Sequence, residues 1–168
     1  MGPRTLLAKA QSDKQRLPRL LRFTYLDALS LLIYEGDLRG AFDNAYRAWA
    51  ALLALIAAET RVPRILSAPD NASLDEARLL ADAIYAPKPE HGDRLARIVA
   101  EELGVPGDGV EVLRGQFLAD RLRLYFHYHA PELSGLSGEG DAEAALVEFM
   151  ETLRKLAEKK AGIRLPPP

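Results

Sequence analysis

The chain has 168 residues, 22 basic and 24 acidic side chains, a formal net charge of −2 and no cysteine. That length suits one domain with a core of its own. The missing cysteines exclude a disulfide framework, a thiolate zinc site and a thiol nucleophile. The near-neutral total gives the chain as a whole no pull toward nucleic acid or acidic lipid.

The charge is uneven. Residues 1–22 carry Arg4, Lys9, Lys14, Arg16, Arg19 and Arg22 against Asp13 alone, whereas residues 70–111 carry ten acids against Arg78, Lys88, Arg94 and Arg97. The expectation is a basic, solvated amino-terminal arm over 1–17, one helical domain over 18–162 and a proline-rich frayed tail over 163–168. The longest apolar run, Ala48 to Ala58, falls short of the ~20 residues of a membrane span. With no targeting segment in view, the expected location is cytoplasmic, away from membranes.

In chain order, Leu21, Tyr25, Leu26, Ala28, Leu29, Leu32 and Ile33 share one broad side of a helix over 19–35. Gly36 reads as its stop and Asp37 as the next N-cap. A second helix over 38–59 carries the stripe Leu38, Phe42, Ala45, Tyr46, Trp49, Leu52, Leu53 and Ile56. The tight turn between two long apolar helices predicts an antiparallel hairpin. Pro63 and Pro69 predict a loop across 61–73. "SLDE" at 73–76 reads as a capping box opening a third helix that ends before Pro87. A shorter helix is expected over 93–103, another over 109–129, a flexible glycine-rich linker over 131–141 and a last amphipathic helix over 141–161. No strand run, internal repeat or glycine-rich phosphate loop is present, so the fold class is an all-α bundle of about five to six helices.

The segment "DRLRLYFHYHAPE", 120–132, carries the densest polar chemistry. On a helical wheel Gln116, Asp120, Arg123 and His127 fall in one narrow sector with apolar flanks, the pattern of a partly buried seam. Arg114 and Arg121 form a second basic strip between Tyr125 and Tyr128. In the seam Asp120 is expected to pair with Arg123, one turn before His127. Histidine exchanges protons near neutral pH, and arginine holds a phosphate through two parallel hydrogen bonds. Together they suit phosphodiester cleavage without metal. The same residues suit an internally satisfied polar network between helices. No metal-ligand set is expected, because His127 and His129 point to different faces and His91 stands alone in a loop. No cofactor is implied.

Two blocks carry a family resemblance. "EGDLRGAFDNAYRAWAALLAL" (35–55) resembles the central helical hairpin of HEPN-domain proteins, closest to the archaeal PaREP-type branch. "ADRLRLYFHYH" (119–129) resembles the later helix of that superfamily, which often bears an Arg and a His with four to six residues between them. Arg121 with His127, and Arg123 with His129, fit that spacing. The resemblance implies a helical bundle that pairs as a homodimer, with Arg and His of both chains meeting in a cleft that cuts RNA. It also implies a toxin–antitoxin or defence setting with a nucleotidyltransferase partner. In these terms His127, Arg121, Arg123 and Asp120 are the expected catalytic residues. Arg47, Arg114, Gln116, Tyr128 and His129 are the expected RNA-binding residues, with Asp43 beside Arg47 lining the cleft. Leu122 and Leu124 depart from the polar residue that follows the motif Arg in active members. The alternative expectation is a non-catalytic helical module that docks a partner protein. A small-ligand pocket lined by Tyr46, Trp49 and Tyr125 is a third. Abundant Ala, Leu and Arg with prolines in loops are compatible with a thermophilic source.

Overall fold

Alanine dominates the stretch from Ala41 to Ala58, and short side chains let neighbouring helices approach closely. That stretch forms the buried centre of helix α3 (Leu38–Ser67), around which the other elements are arranged. The computed structural model describes residues 2–68, 74–128 and 130–168. Besides α3 they form α1 (Pro3–Ser12), α2 (Leu17–Ser30), α4 (Leu74–Tyr85), α5 (Gly92–Leu103), α6 (Gly109–Phe126), a single turn α7 (Pro131–Ser134) and α8 (Glu139–Ala161). All regular structure among the described residues is helical, and one core cluster draws on Leu7 at one end of the chain and Leu165 at the other.

The chain leaves α2 through one wide turn, Leu31–Glu35, and reverses at Gly36, whose φ of 63° is the left-handed conformation that glycine adopts freely. Asp37 then caps α3 by accepting the Gly40 N–H at 3.0 Å. The turn lays α2 along α3, burying Leu21, Tyr25 and Ala28.

Four expectations are corrected. Residues 61–67 are not loop: α3 runs through Pro63 to Ser67. Proline in a helix interior costs about 3 kcal/mol, but Val62 and Ile65 are buried on either side of it. Arg61 is held to Glu76 (2.6 Å) and Glu102 (2.7 Å). Tertiary packing outweighs the local preference. The amino-terminal arm is not a solvated tail. It forms α1, which buries Leu7 and Ala10, and Arg4 donates to the terminal carbonyls of α3 at Ile65 (3.0 Å) and Leu66 (2.6 Å). This adds a helix to the expected five or six.

The carboxyl-terminal tail is not frayed either. Ile163 and Leu165 are buried, and the Tyr25 hydroxyl donates to the Pro166 carbonyl at 2.6 Å. Finally, the glycine-rich linker contains α7 and packs: Ser134 and Leu136 are buried. The expected capping box begins on Ser73, and Pro69 belongs to the expected loop; both lie outside the described residues. No helix among the described residues is long and apolar enough to cross a membrane.

Candidate functional site

Helix α6 ends three residues earlier than its pattern suggests, at Phe126. His127 is the C-cap, its N–H donating to the Arg123 carbonyl at 2.9 Å. The imidazole thereby reaches the start of α3. Nε2 lies 2.6 Å from Oδ1 of Asp43, and Nδ1 lies 3.3 Å from a terminal guanidinium nitrogen of Arg39. Arginine can only donate, so Nδ1 must accept. The remaining ring proton then sits on Nε2 and is donated to the Asp43 carboxylate. The tautomer follows from the partners.

Arg39, Asp43 and Arg47 are spaced one turn apart on α3 and so share a face. Asp43 and Arg47 of that face, with Phe42 and Tyr46, form one wall of a cleft of about 360 Å³ whose opposite wall is Arg123, His127 and Tyr128, and Arg39 meets the cleft through its contact with His127. Pro89 and Glu90 close one end. The Arg123 guanidinium lies over the Tyr128 ring, 5.3 Å from its centroid. Among the described residues, Arg39, Arg47 and Arg123 have no carboxylate within ion-pair distance. The cleft therefore presents a carboxylate-oriented imidazole together with guanidinium groups that are free to take an anion.

A second polar cluster sits behind it. Gln116 is only 5% exposed. Trp49 Nε1, which can only donate, lies 2.9 Å from Gln116 Oε1 and so fixes which way the amide faces. Gln116 Nε2 then lies 2.9 Å from the Tyr46 hydroxyl and 3.1 Å from one oxygen each of Asp93 and Asp120. Two amide protons serve three acceptors. Burial, followed by the hydrogen bond and the charge of Asp93, pushes the Asp120 carboxyl up to about 6. Gln116 and Arg123 oppose this less strongly. Burial likewise raises the Tyr46 hydroxyl. Tyr46 belongs to both clusters, joining the carboxylates of α5 and α6 to the His127 cleft.

The structure distributes the expected site residues unevenly. It brings His127, Arg123, Asp43, Arg47 and Tyr128 to one cleft. Asp120 does not pair with Arg123; its partners are Gln116 and Asp93, because the seam of α6 faces α5 at that level. Arg121 points elsewhere and donates to the Ser134 (2.8 Å) and Gly135 (3.2 Å) carbonyls, fastening α7 to α6. Arg114 pairs with Glu148 on α8. Gln116 is a buried junction and not a surface contact. His129 lies outside the described residues. Trp49 is fully buried against Phe149 and is core. Sequence reasoning missed Arg39 and Asp93. The i, i+4 spacing of Arg39, Asp43 and Arg47 was the available signal for the first; Asp93 meets Asp120 only through the packing of α5 on α6. No protein-family model, no curated protein and no solved structure matches the chain.

Proposed function

We propose that this all-helical protein binds RNA in the His127 cleft and cleaves it without metal. The observation that carries the reading is the His127–Asp43 pair at 2.6 Å beside Arg39, Arg47 and Arg123. In this reaction His127 Nδ1 accepts the proton of a ribose 2′-hydroxyl. The 2′-oxygen attacks phosphorus, the P–O5′ bond breaks, the leaving oxygen takes a proton from water, and the hydroxide so formed takes up the proton held by His127, which returns the ring to its neutral form. The products are a 2′,3′-cyclic phosphate and a 5′-hydroxyl end. Asp43 holds the ring and stabilises the imidazolium that forms, the role an aspartate plays beside a catalytic histidine. The guanidinium groups neutralise charge that builds on the phosphoryl oxygens. Tyr128, half exposed at the rim, offers a face on which a base can stack.

The HEPN-like resemblance of 35–55 and 119–129 bears on this reading through His127 alone: its motif pairs Arg121 with His127, and Arg121 leaves the site, whereas Arg123 stands closer to His127 in sequence than the motif spacing and Asp43 takes the orienting place expected of Asp120. A homodimer and a toxin–antitoxin setting with a nucleotidyltransferase belong to the same proposal. The exposed stripe of Val110, Leu113 and Phe117 on α6 supports a protein–protein surface. It equally favours the second reading, a non-catalytic module that docks such a partner.

The test compares cleavage of a mixed-sequence RNA in EDTA by the wild type, His127→Ala and Asp43→Asn. The expected result is loss of cleavage on His127→Ala and a slower rate on Asp43→Asn. Equal background activity in all three overturns the ribonuclease reading and leaves the docking module.

A further inference from the structure

We infer that Arg39 is a gate on His127: it caps the imidazole lone pair while the cleft is empty of anions and releases it when a phosphate group enters. The inference rests on the cleft reading above and concerns its regulation.

The geometry is unequal on the two sides of the ring. Asp43 holds Nε2 at 2.6 Å, whereas Arg39 reaches Nδ1 at 3.3 Å from an exposed position in the first turn of α3. The short contact fixes the ring and its tautomer. The long one occupies the only nitrogen that can act as a base. A capped Nδ1 cannot receive a substrate proton. A neutral ring nitrogen is a weaker partner for a guanidinium than an anion is, and an exposed bond of that length contributes no more than an ordinary net hydrogen bond. A phosphate offers two anionic oxygens in the fork geometry that arginine matches. Phosphate therefore competes well for Arg39.

Arg47 and Arg123 line the same cleft and, among the described residues, have no carboxylate within ion-pair distance, so each offers a site for an anion there. The Asp43 carboxylate, 2.6 Å from the ring, keeps His127 oriented when Arg39 leaves. One residue thus links phosphate binding to exposure of the base. Arg39 is a positioning residue in this scheme.

Two readouts, neither requiring cleavage, test it. The ring nitrogen shifts of His127 in protein labelled with 15N-histidine report the tautomer. The rate of carbethoxylation at His127, read by peptide mass spectrometry, reports access to the lone pair. The wild type is expected to show the Nε2–H tautomer and slow modification. Saturating inorganic phosphate should raise the rate by about fivefold, the factor set by one net hydrogen bond of ordinary strength. Arg39→Ala should be fast with or without phosphate, and Arg39→Lys should restore slow, phosphate-sensitive modification. Equal rates in the wild type and Arg39→Ala, or a wild-type ring carrying its proton on Nδ1, would overturn the gate. Absence of RNA cleavage alongside the expected tautomer and phosphate response would remove the ribonuclease reading and keep the gate.

Discussion

Replacing Asp120 by Asn should stabilise the protein, and only above about pH 4. In the folded chain the Asp120 carboxyl is raised from 3.8 to about 6 by burial and by the facing Asp93. The folded state therefore keeps a proton that the unfolded chain has already released. Where the folded state binds more protons, stability falls as pH rises. The fall begins near pH 4 and is complete by about pH 7. A shift of that size corresponds to ~3 kcal/mol at 1.36 kcal/mol per unit. The carboxyl is only partly buried, and screening by water reduces the expected loss to ~1–1.5 kcal/mol. The amide of Asp120→Asn mimics the protonated acid, donating to Asp93 and accepting from Gln116 Nε2, without the charge. Urea unfolding followed by far-UV circular dichroism between pH 4 and pH 8 measures the effect. The two proteins should be equally stable near pH 4. By pH 7.5 the Asp120→Asn variant should be favoured by ~1 kcal/mol, or about 2–4 °C in Tm for a chain of this size. A difference that does not change with pH, or a variant less stable at pH 7.5, would show that the two carboxylates do not share a proton between α5 and α6.

Two further outcomes are expected. Gln116→Leu leaves the Trp49 Nε1 without an acceptor in the core and should cost ~2–3 kcal/mol in the same unfolding measurement, with the His127 tautomer unchanged. Pro63→Ala restores a backbone donor inside α3 and removes a ring from the helix interior. It should raise stability by ~1–3 kcal/mol, seen as a higher urea midpoint with an unchanged slope.

The helical class was legible because the apolar spacing of 19–35, 38–59 and 141–161 is strong and local. What the residues alone concealed was non-local. Pro63 reads as a helix breaker until Glu76 and Glu102 are seen to clamp Arg61 beside it. Arg4 and Lys9 read as solvated charge, since nothing nearby in sequence announces that α1 will bury Leu7 and find the carbonyl end of α3. The same limit governed the site. A wheel correctly separated Arg121 from His127, and it placed Gln116, Asp120 and Arg123 on one seam. It assumed a helix to His129, whereas the helix stops at Phe126 and His127 turns toward α3. Asp43 was visible as a cleft residue through its place beside Arg47. Its bond to His127 became visible only once α3 and the end of α6 were side by side.

The junction at Gln116 has an optical consequence. Trp49 is the single tryptophan of the chain. Its indole N–H is held by the amide that touches Tyr46, Asp93 and Asp120, and Gly115 leaves no side chain between its ring and α6. The protein thus carries an intrinsic fluorophore joined through the Gln116 amide to the Asp93 and Asp120 carboxylates and, through Tyr46, to the back wall of the cleft. Its emission should report, without any attached dye, when Asp120 loses its proton and when an occupant of the cleft displaces Tyr46.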